Sequence, residues 1–179
     1  MTGVRIGLLV GPVGVGKTMV AERVVGLAHR QGLTCGGLLA PALLNRCGRK
    51  VGIWGHDVGT AERRILARTD RDLAGLRVGS YSFDGAALAW ALGVMEGAIG
   101  RCDLLIVDEI GRLELEQGLG LAPILPRLTS GEAGRSLVLV RDSLVDLLKG
   151  RLEPVETVLF QIDAMNRGAL PPQVLADLM

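Results

Sequence analysis

Eight residues near the start of the chain constrain its fold more than any other feature of the sequence. "GPVGVGKT", Gly11 to Thr18, has the spacing G-x-x-x-x-G-K-[ST] in full. It follows the apolar run Val4 to Val10, which is typical of a strand buried on both faces. It precedes Lys17 to Arg30, where apolar residues recur at helical spacing. A strand, a glycine-rich loop and a helix in this order form the context of a phosphate-binding loop.

The residue types in the loop explain how it would bind phosphate. Glycine tolerates the tight turns that bring successive backbone N–H groups into one concavity, and the following helix adds its positive end. We expect Lys17 to reach the β- and γ-phosphates and the Thr18 hydroxyl to bind Mg²⁺. The alternative, a glycine-rich turn with a surface lysine, is disfavoured by the complete match. The residues predicted to contact the nucleotide are Gly11, Pro12, Val13, Gly14, Val15, Gly16, Lys17 and Thr18.

A second apolar run supplies the acidic residues that an Mg²⁺–triphosphate requires. "LLIVDE" places Asp108 directly after a buried-type strand, with Glu109 next in the chain. We predict that Asp108 supports the metal and that Glu109 orients or deprotonates a water in line with the γ-phosphate. A solvated strand end is the simpler explanation of this acidic pair, but the presence of a phosphate loop favours the catalytic one.

The remaining pattern predicts one α/β domain over residues 1–179. Strands predicted at 136–140 and 157–162 and a helix predicted at 85–100 continue an alternation that is typical of a mostly parallel sheet with helices on both faces. Residues 33–81 instead contain short β-like runs separated by Gly, Asn, Pro and Asp, which predict a β-hairpin insertion. Because 49% of the residues are hydrophobic but only 3% are aromatic, the core is expected to be aliphatic.

Charge and cysteine content disfavour several classes of partner. The formal net charge of +1 gives no basic field, so a nucleic-acid partner is disfavoured while a small anionic ligand fits. Cys35, Cys47 and Cys102 form no CxxC or Cys/His spacing, so no structural zinc or metal cluster is expected. Reduced thiols and the lack of a signal peptide or a membrane-spanning stretch predict a cytoplasmic protein without membrane contact. The sequence does not specify a protein partner.

Four segments together resemble a known family. They are "GPVGVGKT", "VGSY" at 78–81, "VDEIGRLEL" at 107–115 and "MNRGALPPQVLADL" near the C-terminus, and they span nearly the whole chain in the expected order. They resemble the small nucleoside-triphosphatases of thermophilic microbes, known in animals as the cancer-related nucleoside-triphosphatase. The resemblance implies a P-loop NTPase with a RecA-like core that slowly hydrolyses ATP, GTP and other nucleoside triphosphates with Mg²⁺. It carries over to Gly11, Gly14, Gly16, Lys17, Thr18, Asp108 and Glu109.

The chain departs from that family at two places. Where the family usually carries a polar stretch with Thr, Glu and Arg, this chain reads "LLAPALL" at 38–44. The late strand that often ends in Ala-Thr-Ile is here "LVLVRD", with Arg141 at its tip. Arg112, Arg135 and Arg141 are candidates for neutralising charge in the transition state, and Arg141 is favoured because ligands bind at the carboxyl ends of strands.

Three other polar residues are ambiguous. Asn166 and Arg167 follow the last predicted strand and are candidates for flanking the base, although a loop that enters a helix explains them as well. Glu114 belongs to the family-like run, but an exposed acid at the start of a helix explains it equally well.

Two other functions use the same loop. A nucleotide or nucleoside kinase needs a second substrate pocket and usually an arginine-bearing lid, and residues 113–136 contain no convincing lid. An NTP-dependent switch or assembly factor is suggested by "DEIG", which reads D-x-x-G, but no Asn-Lys-x-Asp guanine reader follows any predicted strand. Phosphate transfer to an added acceptor would favour the kinase, and a partner bound only in the triphosphate state would favour the switch.

Overall fold

The computed structural model describes residues 5–179, and this range forms ten strands and six α-helices. The predicted first strand begins at Val4, which lies outside the described residues. The strands are β1 (Arg5–Val10), β2 (Cys35–Leu39), β3 (Ala42–Leu44), β4 (Lys50–Asp57), β5 (Arg63–Arg68), β6 (Arg77–Val78), β7 (Tyr81–Phe83), β8 (Leu104–Val107), β9 (Arg135–Val140) and β10 (Thr157–Gln161). The helices are α1 (Lys17–Arg30), α2 (Gly85–Ala98), α3 (Arg112–Leu115), α4 (Leu125–Thr129), α5 (Val145–Leu152) and α6 (Leu170–Leu178).

One sheet contains all the strands of the described range, and its two halves run differently. The strand order is β10-β1-β9-β8-β2-β4-β5-β7-β6, and β3 pairs with β4 beside this path. From β10 to β2 every neighbouring pair is parallel, whereas from β2 to β6 every pair is antiparallel. The predicted alternation of strands and helices therefore builds the parallel half of the sheet.

The predicted insertion at 33–81 needs a correction at its start. β2 runs parallel to β8 with Cys35 opposite Leu104, so it is a central strand of the parallel half and not part of a hairpin. The antiparallel strands begin after it and continue to Phe83. The sequence did not reveal this because "CGGLL" is a short apolar run, which suits a hairpin strand and a central strand equally.

The parallel strands are apolar on both sides because each face of the sheet is covered by helices. In β8, Leu104 and Ile106 pack in the cluster that contains α1 and α6, whereas Leu105 and Val107 pack in the cluster that contains α2 and α5. Strands buried on both faces carry continuous apolar runs, as predicted for this segment. The core is aliphatic, since Leu, Val, Ile and Ala make up nearly all of it.

The helix boundaries follow local sequence signals. Asp84 caps α2, where its side chain accepts a hydrogen bond from the backbone N–H of Ala87 at 2.8 Å. Pro171 lies in the first turn of α6, where a missing N–H costs nothing. The longest helices, α1 and α2, have 14 residues each, and none of the helices in residues 5–179 is long and apolar enough to cross a membrane.

Candidate active site

The loop between β1 and α1 depends on its glycines for two different reasons. Gly14 and Gly16 have φ angles of 80° and 107°, in the left-handed region that side chains rarely adopt. Gly11 is needed for space, because a Cβ there would lie 2.6 Å from Cγ2 of Ile162. α1 has no side-chain cap and no acidic residue in its first turn. Its first backbone N–H groups are therefore available to an anion.

Lys17 lies inside this loop and not on the protein surface. Only 6% of the residue is exposed, and its Nζ donates hydrogen bonds to the carbonyl oxygens of Gly11 at 2.7 Å and Pro12 at 3.0 Å. Burial lowers the pKa of the Lys17 ammonium, and the charges of Glu109 and Asp108 partly offset that effect. The alternative of a surface lysine is therefore wrong, since the positive charge is held within the concavity.

Asp108 directly follows β8 and is buried at the base of the site, with 3% of the residue exposed. Its Oδ2 accepts a hydrogen bond from the backbone N–H of Ala40 at 2.9 Å, and the Thr18 side chain lies close enough to this carboxyl to lower its pKa. Burial raises the pKa of the Asp108 carboxyl to about 6. A hydroxyl beside a buried carboxylate supplies the hard oxygen ligands that Mg²⁺ prefers, so these two residues fit the metal.

The contact from Ala40 is one that the sequence analysis missed. Ala40 follows the last residue of β2 and precedes Pro41. A residue before proline favours an extended conformation, which suits the end of a strand. The Ala-Pro pair at the end of an apolar run was the available signal, but it could not identify the carboxylate that the N–H reaches.

Glu109 is paired with Arg141. The Nε of Arg141 donates to Oε1 of Glu109 at 2.6 Å, and the two side chains are 45% and 25% exposed, respectively. Water can therefore reach the Glu109 carboxylate, as a role in proton transfer requires. The sequence predicted both residues as site candidates but did not predict that they contact each other.

The strand order explains why these residues meet. β9 lies between β1 and β8, so the carboxyl ends of three adjacent parallel strands lead into the phosphate loop, Arg141 and Asp108. Two backbone hydrogen bonds link the ends of these strands: Gly11 N–H donates to the Val140 carbonyl at 3.4 Å, and Ile110 N–H donates to the Leu139 carbonyl at 3.1 Å. The carboxyl edge of a parallel sheet is where α/β proteins bind ligands.

The segment before α6 returns to the loop. The Arg167 side chain lies against the phosphate loop, because a Cβ added at Gly16 would be 3.6 Å from its Cδ. Asn166 instead organises its own turn: its Oδ1 accepts from the backbone N–H of Asp163 at 2.9 Å, and its Nδ2 donates to the Gln161 carbonyl at 2.8 Å. The arrangement favours Arg167 over Asn166 as a group that could contact a nucleotide.

The other charged candidates lie away from the loop or have a structural contact. Arg112 is 66% exposed in α3, with its Nε 3.8 Å from Oε1 of Glu116. Arg135 begins β9, at the end of the sheet opposite to the loop. The expectation that Glu114 is exposed is wrong, because only 7% of it is accessible and Oε2 accepts from the Gly111 N–H at 2.9 Å. The second carboxylate oxygen, Oε1, accepts from the Leu121 N–H at 3.3 Å, so Glu114 joins α3 to the following turn.

Comparison of the sequence with known proteins identifies a family of nucleotide-hydrolysing proteins. Residues 7–175 match the sequence model of a family described as NTPase. The nucleoside-triphosphatase THEP1 of Thermofilum pendens is 30% identical over 172 residues, a match that spans 96% of this chain and 93% of the relative. The protein of the same name from Methanopyrus kandleri is 28% identical over 172 residues, spanning 96% and 94%.

Two solved structures share the fold. The crystal structure of THEP1 from the hyperthermophile Aquifex aeolicus matches with a TM-score of 0.75 at 21% identity, over 97% of this chain and 98% of that one. The solution structure of a human cancer-related nucleoside triphosphatase matches with a TM-score of 0.75 at 23% identity, over 98% and 97%. The predicted fold class is therefore confirmed over nearly the full length of the chain.

Proposed function

The chain belongs to the NTPase family, and from that premise we propose that it hydrolyses nucleoside 5′-triphosphates to diphosphate and phosphate with Mg²⁺ held by Thr18 and Asp108. The observation that carries the proposal is the meeting of three parts at one edge of the sheet. A glycine loop with a buried ammonium group, a buried carboxyl beside a hydroxyl, and an accessible carboxylate lie at the carboxyl ends of β1 and β8, on either side of β9.

The loop and Lys17 would bind and orient the triphosphate. Nζ now donates to two backbone carbonyl oxygens. The oxygens of a triphosphate are negatively charged, so they would accept stronger hydrogen bonds from the same ammonium group. Burial increases the strength of this attraction, since the surroundings of Lys17 screen charge less than water does. The side chain would therefore contribute both affinity and neutralisation of charge that develops on the phosphates.

Thr18 and Asp108 would hold the metal, and Asp108 would do so in its ionised form. When bound, Mg²⁺ supplies a compact positive charge that neutralises the phosphate oxygens. The contact with the Ala40 N–H occupies Oδ2 of Asp108, which leaves Oδ1 without a backbone donor among residues 5–179. This second oxygen is the one we assign to the metal or to a water bound to it.

Glu109 would accept the proton of the attacking water. A carboxylate is a suitable general base when it lies within hydrogen-bond reach of that water, and the accessible position of Glu109 at the end of β8 allows this. Its neighbour Asp108 is buried and held by the Ala40 N–H beside Thr18, so the two acids would have separate roles.

Three finer features are part of the same proposal. Hydrolysis of nucleotides with different bases, ATP and GTP among them, is supported by the lack of a guanine-reading motif in the sequence. Arg167 would contact the nucleotide on the side of Gly16, where its side chain already lies. A cytoplasmic location, in keeping with cysteines that form no ligand or disulfide spacing in the sequence, is tested by fractionation of cells that express a tagged chain.

The test is phosphate release from ATP, GTP, CTP and UTP with Mg²⁺, measured for the wild type and for Glu109→Gln. We expect release from several of the nucleotides, and we expect Glu109→Gln to lower turnover about a hundredfold or more because it loses the general base. Binding of the Mg²⁺–nucleotide should persist in this variant, since Glu109 is not assigned to the loop or the metal.

Glu116→Gln is the matched control, because Glu116 also pairs with an arginine but is exposed directly after the end of α3. Its turnover should equal that of the wild type. Turnover that is unchanged in Glu109→Gln would exclude Glu109 as the base. Tight binding without release from any nucleotide would contradict hydrolysis and favour transfer to an acceptor or an NTP-dependent switch.

A further inference from the structure

One ion pair occupies the carboxylate that is assigned as the base. The Arg141 guanidinium donates from Nε to Oε1 of Glu109 at 2.6 Å, a short hydrogen bond between two charged groups. While this contact lasts, one of the two Glu109 oxygens is neutralised and directed toward the arginine. The resting arrangement therefore differs from the one in which Glu109 accepts a proton from water.

The same arginine is placed to meet a bound triphosphate. Arg141 directly follows β9, and the preceding residue Val140 accepts the hydrogen bond from the Gly11 N–H that starts the phosphate loop. The positive charge of Arg141 also contributes to the lowered pKa of the Lys17 ammonium, so the two cations lie near each other. Phosphate oxygens that are drawn to Lys17 would enter the field of Arg141 as well.

Glu109 and a terminal phosphate are competing partners for this guanidinium. Arginine binds carboxylate and phosphate with the same planar arrangement of N–H donors. A triphosphate carries more negative charge than one carboxylate, and Mg²⁺ is assigned to other residues, Thr18 and Asp108, so it would not occupy the Arg141 guanidinium. The Arg141 side chain is 45% exposed, so the exchange needs a side-chain rotation and no opening of the core.

Building on the proposed function, we propose that Arg141 changes partner from Glu109 to the γ-phosphate when a triphosphate binds, and that this exchange frees Glu109 to act as the base. In the absence of nucleotide, or with a diphosphate, Arg141 stays on Glu109. Arg141 is thus a γ-phosphate sensor supplied by the same chain, and it couples recognition of the triphosphate to release of the base.

Binding measurements without turnover test this exchange. Affinities for the non-hydrolysable analogue adenylyl imidodiphosphate and for ADP, both with Mg²⁺, would be compared by calorimetry. Glu109→Gln removes the competing carboxylate, so it should bind the analogue about 5- to 100-fold more tightly than the wild type, while its affinity for ADP stays within about twofold. Arg141→Ala should weaken analogue binding and leave ADP binding unchanged.

The double variant Glu109→Gln/Arg141→Ala gives the sharpest comparison. Because the higher affinity of Glu109→Gln for the analogue depends on Arg141, this increase should disappear when Arg141 is absent. Arg141→Lys should restore part of the preference for the analogue over ADP, since it keeps the charge but loses the planar fork. This variant also retains a long side chain, which keeps the test informative if Arg141→Ala folds poorly.

Arg135→Ala is the matched control, because Arg135 lies on the same strand about 20 Å away at its opposite end. It should leave both affinities and the turnover unchanged. The proposed exchange would be overturned if Arg141→Ala changed the affinities for the analogue and for ADP equally. It would also be overturned if Glu109→Gln still increased the affinity for the analogue when Arg141 is absent. These readouts do not depend on hydrolysis, so phosphate release that fails in the wild type would contradict the proposed function without deciding the role of Arg141.

Discussion

At the scale of single residues, Asp108 holds a carboxyl group that the nucleotide-free protein stabilises in its neutral form. Burial raises the pKa of this carboxyl from 3.8 to about 6, although the Ala40 N–H and the Thr18 side chain oppose the shift. A raised pKa in the folded state stabilises folding below the unfolded pKa, and this contribution is lost as the pH rises through about 6. The residue that we assign to Mg²⁺ therefore destabilises the ligand-free protein at neutral pH.

Asp108→Asn should consequently unfold at a higher urea concentration than the wild type at pH 7.5, without nucleotide or metal. The asparagine oxygen can still accept from Ala40, while the buried charge is gone. The gain should be on the order of 3 kcal/mol at most at pH 7.5, should shrink as the pH falls through about 6, and should vanish only below the unfolded pKa of 3.8. Mg²⁺-dependent nucleotide binding should be lost in the same variant.

Asp103→Asn is a control in which the expected change in stability has the opposite sign. Two hydrogen bonds from Thr34, from its N–H and its hydroxyl, lower the pKa of the exposed Asp103 carboxyl. A lowered pKa stabilises folding above the unfolded pKa and is lost as the pH falls, so this variant should lose stability at pH 7.5. An Asp108→Asn variant that is less stable than the wild type at pH 7.5 would contradict the assignment of Asp108 as a destabilising buried charge.

The sequence was sufficient to identify the loop and the acidic pair, because both depend on residues that are neighbours in the chain. It could not identify their partners. Arg141 is 32 residues from Glu109, and Ala40 is 68 residues from Asp108, so each contact depends on which strands become neighbours in the sheet. Glu114 is a further case, since its position close to Arg112 at the start of a short helix gave no indication that packing would bury it.

At the scale of elements, the path of β2 depends on one glycine. Gly37 has a φ angle of 100°, and a Cβ there would lie 2.2 Å from the Ile106 carbonyl oxygen of β8. The two strands are therefore in a contact that other residues cannot make. β2 also delivers Ala40 to the site, so the approach of these strands determines where Asp108 is held.

Gly37→Ala should lower the free energy of unfolding by about 3 kcal/mol or more, because it combines an unfavourable φ angle with a backbone collision. Gly97→Ala is the matched control in α2, where an added Cβ meets nothing within 4 Å. It should raise the free energy of unfolding by about 0.5–1 kcal/mol, since alanine is a better helix former. Urea denaturation measures both, and equal midpoints for Gly37→Ala and the wild type would refute the predicted collision.

Elements with strong local patterns were predicted well, and those defined by distant pairing were not. α1 was predicted to cover residues 17–30 and does so, because its apolar spacing and the following Gly32 are local signals. β2 was assigned to a hairpin because its partner β8 is distant in the chain. A parallel pair has no tight turn that would mark it in the sequence.

At the scale of the whole molecule, the site couples ligand binding to global stability. The loop exists only in the folded chain, so a ligand present at a hundred times its Kd should add about 2.7 kcal/mol. For a domain of this size, that corresponds to a rise of about 5–10 °C in Tm. Differential scanning fluorimetry with Mg²⁺ and the ATP analogue would measure this shift.

Lys17→Ala should fold with a Tm near that of the wild type and show no such shift. Removing a buried ammonium also removes the cost of burying it, which offsets the loss of its hydrogen bonds to Gly11 and Pro12. Phosphate release should be severely reduced in the same variant. A full ligand-induced shift in Lys17→Ala would show that nucleotide binding does not need the loop lysine.

The position of β1 determines when this site can first form during synthesis. β1 lies between β9 and β10, so the strand that leads into the phosphate loop pairs with segments that the ribosome makes more than a hundred residues later. Gly11 and Ile162 are also in contact at the start of the loop. A nascent chain that has emerged only as far as α5 lacks one of the two neighbours of β1 and cannot hold the loop in place. Nucleotide binding during translation is therefore confined to chains from which β10 has already emerged, and until then one edge of the apolar first strand lacks its partner.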